Sequence, residues 1–200
     1  MHFIPTTLNG AYIIRIERLA DERGFFGRVF CRREFAKMGL NPDMTQGNVS
    51  FNHKKGTVRG LHFQNPPYME AKLVSCTRGA IFDVVVDLRT NSPTYLHWYG
   101  VTLTERNRDR LYVPEGFAHG YQTLIDNSEF FYHSTAVYQA NEENGIRWND
   151  PALDILWPVT LGIIISDKDQ NWPDWTDRKP GPDAKERLSG EKDSYACNAQ

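Results

Sequence analysis

An all-β sandwich or barrel with a few short helices is the fold class that the sequence predicts, on three observations. Short runs rich in β-branched and aromatic residues recur at close spacing. Turn-forming clusters separate them: Asn65-Pro66-Pro67, Arg78-Gly79, Asn91-Ser92-Pro93 and Asp126-Asn127-Ser128. Helical patterning is nearly absent, so a doubly wound α/β sheet is disfavoured.

In chain order, residues 32–38 read as a helix ended by Gly39. Strands are expected at 58–63, 71–77, 80–87, 96–103, 110–113, 117–124 and 130–138. One more strand, interrupted by Pro158, is expected within 155–165. The composition changes after Asp167, and from Lys179 little remains to bury. The expected organisation is one domain over 1–178 and a polar, loosely ordered tail over 179–200.

The 200 residues suffice for one domain with its own core, without disulfides or a structural metal. Twenty-three basic and 25 acidic residues leave a net charge of -2. That balance gives no bulk attraction to nucleic acid or an acidic membrane, so an anionic ligand needs a local cluster. Cys31, Cys76 and Cys197 form an odd set without paired spacing, which fits free thiols in a reducing, cytoplasmic setting. The first ten residues lack a secretory pattern, and no run approaches the length of a membrane-spanning helix.

Pro114-Glu115-Gly116-Phe117-Ala118-His119 has a Pro-x-Gly-x-x-His form that resembles the second motif of cupins. Gly60-Leu61-His62-Phe63-Gln64, followed by Gly79, resembles the first. The architecture implied is a cupin-type double-stranded jelly roll with His62 and His119 projecting into its mouth. Most cupins hold a metal through three histidines and a carboxylate. Here Gln64, an amide, stands two residues after His62, and Met69 precedes Glu70. Two imidazoles without a third strong donor make a poor metal site, so oxygenase chemistry is the disfavoured alternative. Two histidines in one cavity favour acid–base work instead.

Further local patterns follow in order: Arg23-Gly24-Phe25-Phe26, Gln46-Gly47-Asn48-Val49-Ser50, Arg59-Gly60-Leu61-His62, Ala71-Lys72-Leu73-Val74, Phe131-Tyr132, Gly145-Ile146-Arg147-Trp148 and Ser166-Asp167-Lys168-Asp169. Together they resemble the dTDP-4-dehydrorhamnose 3,5-epimerase family over roughly residues 10–169. The resemblance implies a homodimeric cupin without metal or redox cofactor. It implies epimerisation of a nucleoside-diphosphate-linked 4-keto-6-deoxy sugar at C3, C5 or both, in deoxysugar biosynthesis. The neighbouring C–H is acidified by the keto group; a base removes the proton and an acid returns one to the opposite face.

Carried onto this sequence, the resemblance makes His62 the base, Tyr132 the proton donor and Asp169 the carboxylate that orients His62. Asp83 is the alternative partner, because it lies on a strand expected to run through the core. Lys72 falls near the keto oxygen. Arg23, Arg59 and Lys168 fall at positions that meet diphosphate or sugar, and Gln46 and Asn48 at polar contacts. His119 falls at a sugar contact, Phe26 and Tyr138 at base stacking, and Glu143 at a further ligand contact. Two positions depart from the pattern. Arg28 stands where a glutamate reads thymine, and Gly47 stands between Gln46 and Asn48 where a polar residue is usual. A sugar-binding cupin without catalysis and a ketoisomerase are the competing readings in the same fold.

Overall fold

The computed structural model describes residues 1–175; the expected tail at 179–200 lies outside the described residues. Five strands precede the first run expected from the sequence: β1 (His2–Pro5), β2 (Tyr12–Arg15), β3 (Leu19–Asp21), β4 (Gly24–Phe26) and, after helix α1 (Arg32–Lys37), β5 (Gln46–Asn52). They are followed by β6 (Val58–Gln64), β7 (Lys72–Arg78), β8 (Ala80–Asp87), β9 (Trp98–Thr104), β10 (Arg110–Val113), β11 (Phe117–Thr123), β12 (Ser128–Ser134) and β13 (Glu143–Gly145). A short helix, α2 (Asp167–Gln170), closes the described chain.

Two antiparallel sheets face each other, in the orders β1-β2-β10-β7-β12-β5 and β13-β6-β11-β8-β9, and β3-β4 forms a separate hairpin. This is the expected cupin-type jelly roll. Alternation along each strand sends Ile13, Val74, Leu111, Val113 and Phe130 from the first sheet onto Ile81, Val85, Leu103, Phe117 and Tyr121 from the second. Burial of this apolar layer drives the sheets together.

Each outer face has its own cover. Helix α1 lays Phe35 against Ile14, Leu73 and Tyr112. Leu153, Ile155 and Trp157 cover Leu61, Val84, Val86 and Ala118 of the second sheet. The strand expected within 155–165 is therefore absent: this segment packs its apolar side chains as an irregular strap, and only Ile164 makes a bridge, with Thr57. Pro158 lacks the N–H that a ladder needs. The strand expected over 130–138 stops at Ser134, whose hydroxyl takes the Ala136 N–H and turns the chain. β9 starts two residues later than expected because Leu96 sits at φ 61°. Strands β8 and β10 have the expected bounds, and α1 ends one residue early, before Met38 and Gly39.

Candidate active site

The core does not fill the whole sandwich. At one end the inward positions are polar, and the side chains there come from both sheets. On β6 and β11, His62 is the direct register partner of His119, so both imidazoles point inward. The strands approach closely just beside this pair. A Cβ on Gly60, at φ +112°, would lie 2.6 Å from the Gly120 Cα, so only glycine fits there.

That close approach also serves Asp169. The Gly60 N–H donates to Asp169 Oδ2 at 3.2 Å, and Asp169 Oδ1 lies 2.6 Å from His62 Nε2. Ser166 caps α2 by accepting the Asp169 N–H at 3.1 Å, fixing the carboxylate from behind. Burial pushes the Asp169 carboxyl up, but the His62 hydrogen bond and charge and the Gly60 N–H outweigh it. The carboxyl is held below its ordinary value.

Asp83, the alternative partner considered for His62, belongs instead to His119: Oδ1 lies 2.9 Å from His119 Nε2. The register explains it, because Asp83 pairs with Tyr121 and so is the diagonal neighbour of His119 on the inward face. Burial raises the Asp83 carboxyl above its ordinary range, against the opposing pull of His119 and Lys72.

The other sheet supplies Tyr132 and Lys72. Tyr132 is the inward residue of β12 opposite Asn48, and Phe130 stacks between Tyr132 and His119, with ring centroids 5.4 and 5.5 Å away. Burial first, then the charge of Glu70, pushes the Tyr132 phenol up to about 12. It is therefore a neutral donor at physiological pH. Lys72 Nζ lies 5.9 Å from the Tyr132 ring centroid and 3.1 Å from Glu70 Oε1. The charge of Glu143 acts on both Tyr132 and His62, which face one mouth from opposite sheets.

Around this mouth, the Arg59 Nε–H donates to Asn52 Oδ1 at 2.9 Å, and Gln46 Nε2 donates to Asn48 Oδ1 at 2.9 Å. The Asn48 Nδ2 is buried without a partner. The Tyr138 N–H donates to Gln46 Oε1, and its hydroxyl donates to Glu143. That carboxylate holds the half-exposed Tyr138 phenol at about 12. Lys168 Nζ meets Glu143 Oε2 at 2.6 Å. Burial raises the Glu143 carboxyl, and Lys168, Tyr138 and His62 together pull it below its ordinary value.

Arg23 and Phe26 stand elsewhere. Arg23 pairs with Asp21 within the β3–β4 hairpin, and Phe26, 71% exposed, lies beside Leu19 and Arg28. Arg28 is engaged by Glu34 of α1 at 2.8 Å. Gly47 pairs with His133 on the outward face of β5, so a side chain there would point away from the mouth. Gln64 spends its amide on the backbone, donating to Tyr68 O at 3.0 Å and accepting the Gln139 N–H at 2.7 Å. Sequence reasoning missed Glu70 as the partner of Lys72 and Ser134, and it missed Trp172 beside His62.

Two carboxylate-paired imidazoles, a neutral phenol and a buried ammonium on the inner walls of a jelly roll define a proton-transfer enzyme of the cupin type. Residues 5–177 match the family model described as dTDP-4-dehydrorhamnose 3,5-epimerase. A dTDP-4-dehydrorhamnose 3,5-epimerase of Methanothermobacter thermautotrophicus is 45% identical over 172 residues, covering 85% of this chain and 92% of that one. The crystal structure of the enzyme of that name from Elizabethkingia anophelis superposes with a TM-score of 0.87 at 39% identity, covering 89% of this chain and 98% of the other. A 3'-monoepimerase from Streptomyces bikiniensis, solved in complex with dTDP-quinovose, superposes with a TM-score of 0.80 at 31% identity, over 94% and 90% of the two chains. The chain belongs to the dTDP-4-dehydrorhamnose 3,5-epimerase family.

Proposed function

We propose that this protein epimerises a nucleoside-diphosphate-linked 4-keto-6-deoxy sugar by removing a proton beside the keto group and returning one to the opposite face. The observation that carries this reading is the 2.6 Å contact between His62 and Asp169, with Glu143 electrostatically coupled both to His62 and to Tyr132 of the other sheet. His62 is the base. Asp169 holds the imidazole in one orientation and balances its charge once it has taken the proton. Tyr132, neutral at working pH, donates a proton from the other sheet to the flat enolate. Lys72 supplies positive charge where the enolate oxygen develops. The reaction moves protons only and transfers no electrons.

Binding falls to the rim. Arg59 and Lys168 suit the diphosphate and sugar, Gln46, Asn48 and Glu143 the polar groups, His119 the sugar, and Tyr138 the base by stacking. Arg23 and Phe26 sit on a hairpin that also exposes Leu19 and Phe25. A second copy of the chain brings them to its neighbour's mouth, making the working form a homodimer. Light scattering is expected to give twice the chain mass; a stable monomer that turns over substrate would contradict this. None of the helices among the described residues is long and apolar enough to cross a membrane. That fits a cytoplasmic enzyme using a water-soluble sugar nucleotide.

Incubation with dTDP- and CDP-linked 4-keto-6-deoxyglucose in deuterated water tests the activity. Deuterium at C3, C5 or both identifies an epimerase and its regiochemistry. A shift of the keto group would favour the ketoisomerase reading, and binding without exchange a silent cupin.

A further inference from the structure

Trp172 lies outside every motif that carried the functional reading. It follows α2 directly, two residues after the end of the helix that presents Asp169. Its ring stands edge-on to His62, with centroids 6.4 Å apart and planes at 70°. The indole is seated on Gly145, where an added Cβ would come within 2.4 to 2.6 Å of its atoms. Gly145 is the register partner of His62, so glycine leaves an opening beside the imidazole and the indole fills it. On the other side, Lys168 Nζ lies 5.6 Å from the ring centroid. The indole Nε1 is buried without a well-aligned acceptor, yet it is near enough to Asp169 to help keep that carboxylate ionised.

We propose that Trp172 is a positioning residue, whose indole covers the His62–Asp169 pair, excludes water from one side of it and fixes the imidazole plane for proton abstraction. This rests on the acid–base reading of His62. A charge pair interacts more strongly where water is excluded. Ring orientation matters because a base displaced by about 1 Å can lose on the order of a hundredfold in rate. The groups that face His62 here are Asp169 from α2, Glu143 from β13 and His119 from β11, while Lys168 lies over the indole and meets Glu143.

Four variants and two readouts test the proposal. Trp172→Ala is expected to lower kcat for epimerisation about tenfold with KM within about twofold of the parent. Trp172→Phe keeps the cover and is expected to restore at least half of that loss. Gly145→Ala, which alters no titratable group, is expected to reproduce Trp172→Ala by displacing the indole. Circular dichroism confirms that each variant is folded. The second readout does not depend on turnover: the fluorescence of the parent minus that of Trp172→Phe, recorded without substrate at a single pH. An indole seated edge-on to the His62 ring should change its emission when His62 is replaced by Asn and when Gly145→Ala displaces it. Parent-like kcat in Trp172→Ala, a rise in KM alone, or a difference signal that His62→Asn leaves unchanged would each overturn the proposal. A parent that exchanges no substrate proton defeats the epimerase reading, and the fluorescence difference still decides where the indole sits.

Discussion

Two histidine–aspartate pairs among the described residues draw their imidazoles from adjacent strands of one sheet, yet they differ in exposure and in how the carboxylate is held, and the proposed proton exchange falls to only one of them. His62 is 30% exposed and Asp169 6%, whereas His119 and Asp83 are 7% and 0% exposed. Asp169 comes from a capped helix turn, accepts a second hydrogen bond from Gly60, and its pKa is held below the ordinary carboxylate value. Asp83 comes from the middle of β8, keeps one buried oxygen without a partner, and is raised. An accessible imidazole with a firmly ionised partner can take a proton and keep its charge balanced. In the sealed pair the His119 ring is held between Asp83 and the stacked Phe130 ring.

That contrast is best broken at the imidazoles. His62→Ala should lower kcat by about a thousandfold or more, the scale of a lost general base. His119→Ala should act mainly through KM, with kcat within about tenfold. Steady-state kinetics on the sugar nucleotide separates them, and equal kcat losses would erase the distinction. A smaller effect is expected at the carboxylates: Asp169→Asn should cost about a hundredfold in kcat by misorienting His62, and Asp83→Asn less than about tenfold.

Stability should move in opposite senses. Asp169 has a lowered folded pKa, so its contribution is present above the ordinary carboxylate value and lost as pH falls through the folded one. Asp83 has a raised folded pKa, so its ionised form costs stability above that value, and the cost disappears as pH falls towards the ordinary one. Denaturant unfolding near pH 7 should therefore find Asp169→Asn about 1 kcal/mol or more below the parent. Asp83→Asn should lie level with the parent or above it, and both differences should shrink towards acid. Smallest is the alkaline side: with the Tyr132 phenol at about 12, activity should not fall through loss of this donor below that pH.

Much of the scaffold was legible because its strands bury β-branched side chains. β8 and β10 carry continuous apolar signal, and their limits follow from it. Three of the early strands carry little of it: β3 and β4 are exposed along their whole length, and β5 turns Gln46, Asn48 and Ser50 inward towards the site. A strand that lines a polar mouth loses the alternation that would announce it. The strap at 155–165 misled for the opposite reason, since its apolar residues cover a sheet without joining one. At the site, motif order placed His62, Lys72, Tyr132 and Asp169 on one mouth. The partition of the two aspartates depended on strand register and on the Gly60–Gly120 crossing, neither of which is written locally. Trp172 packs on His62 and Gly145, far away in the chain, so no local pattern marks it; Glu70 meets Lys72 two residues on, but its second partner, Ser134, comes from a distant strand.

The most direct test compares proton exchange with inversion in two variants. Tyr132→Phe keeps the base and loses the donor, so NMR in deuterated water should show substrate exchanging its proton beside the keto group while inverted product is scarce. His62→Ala should show neither exchange nor product. Exchange at the parent rate in His62→Ala would contradict the assignment of His62 as the base held by Asp169.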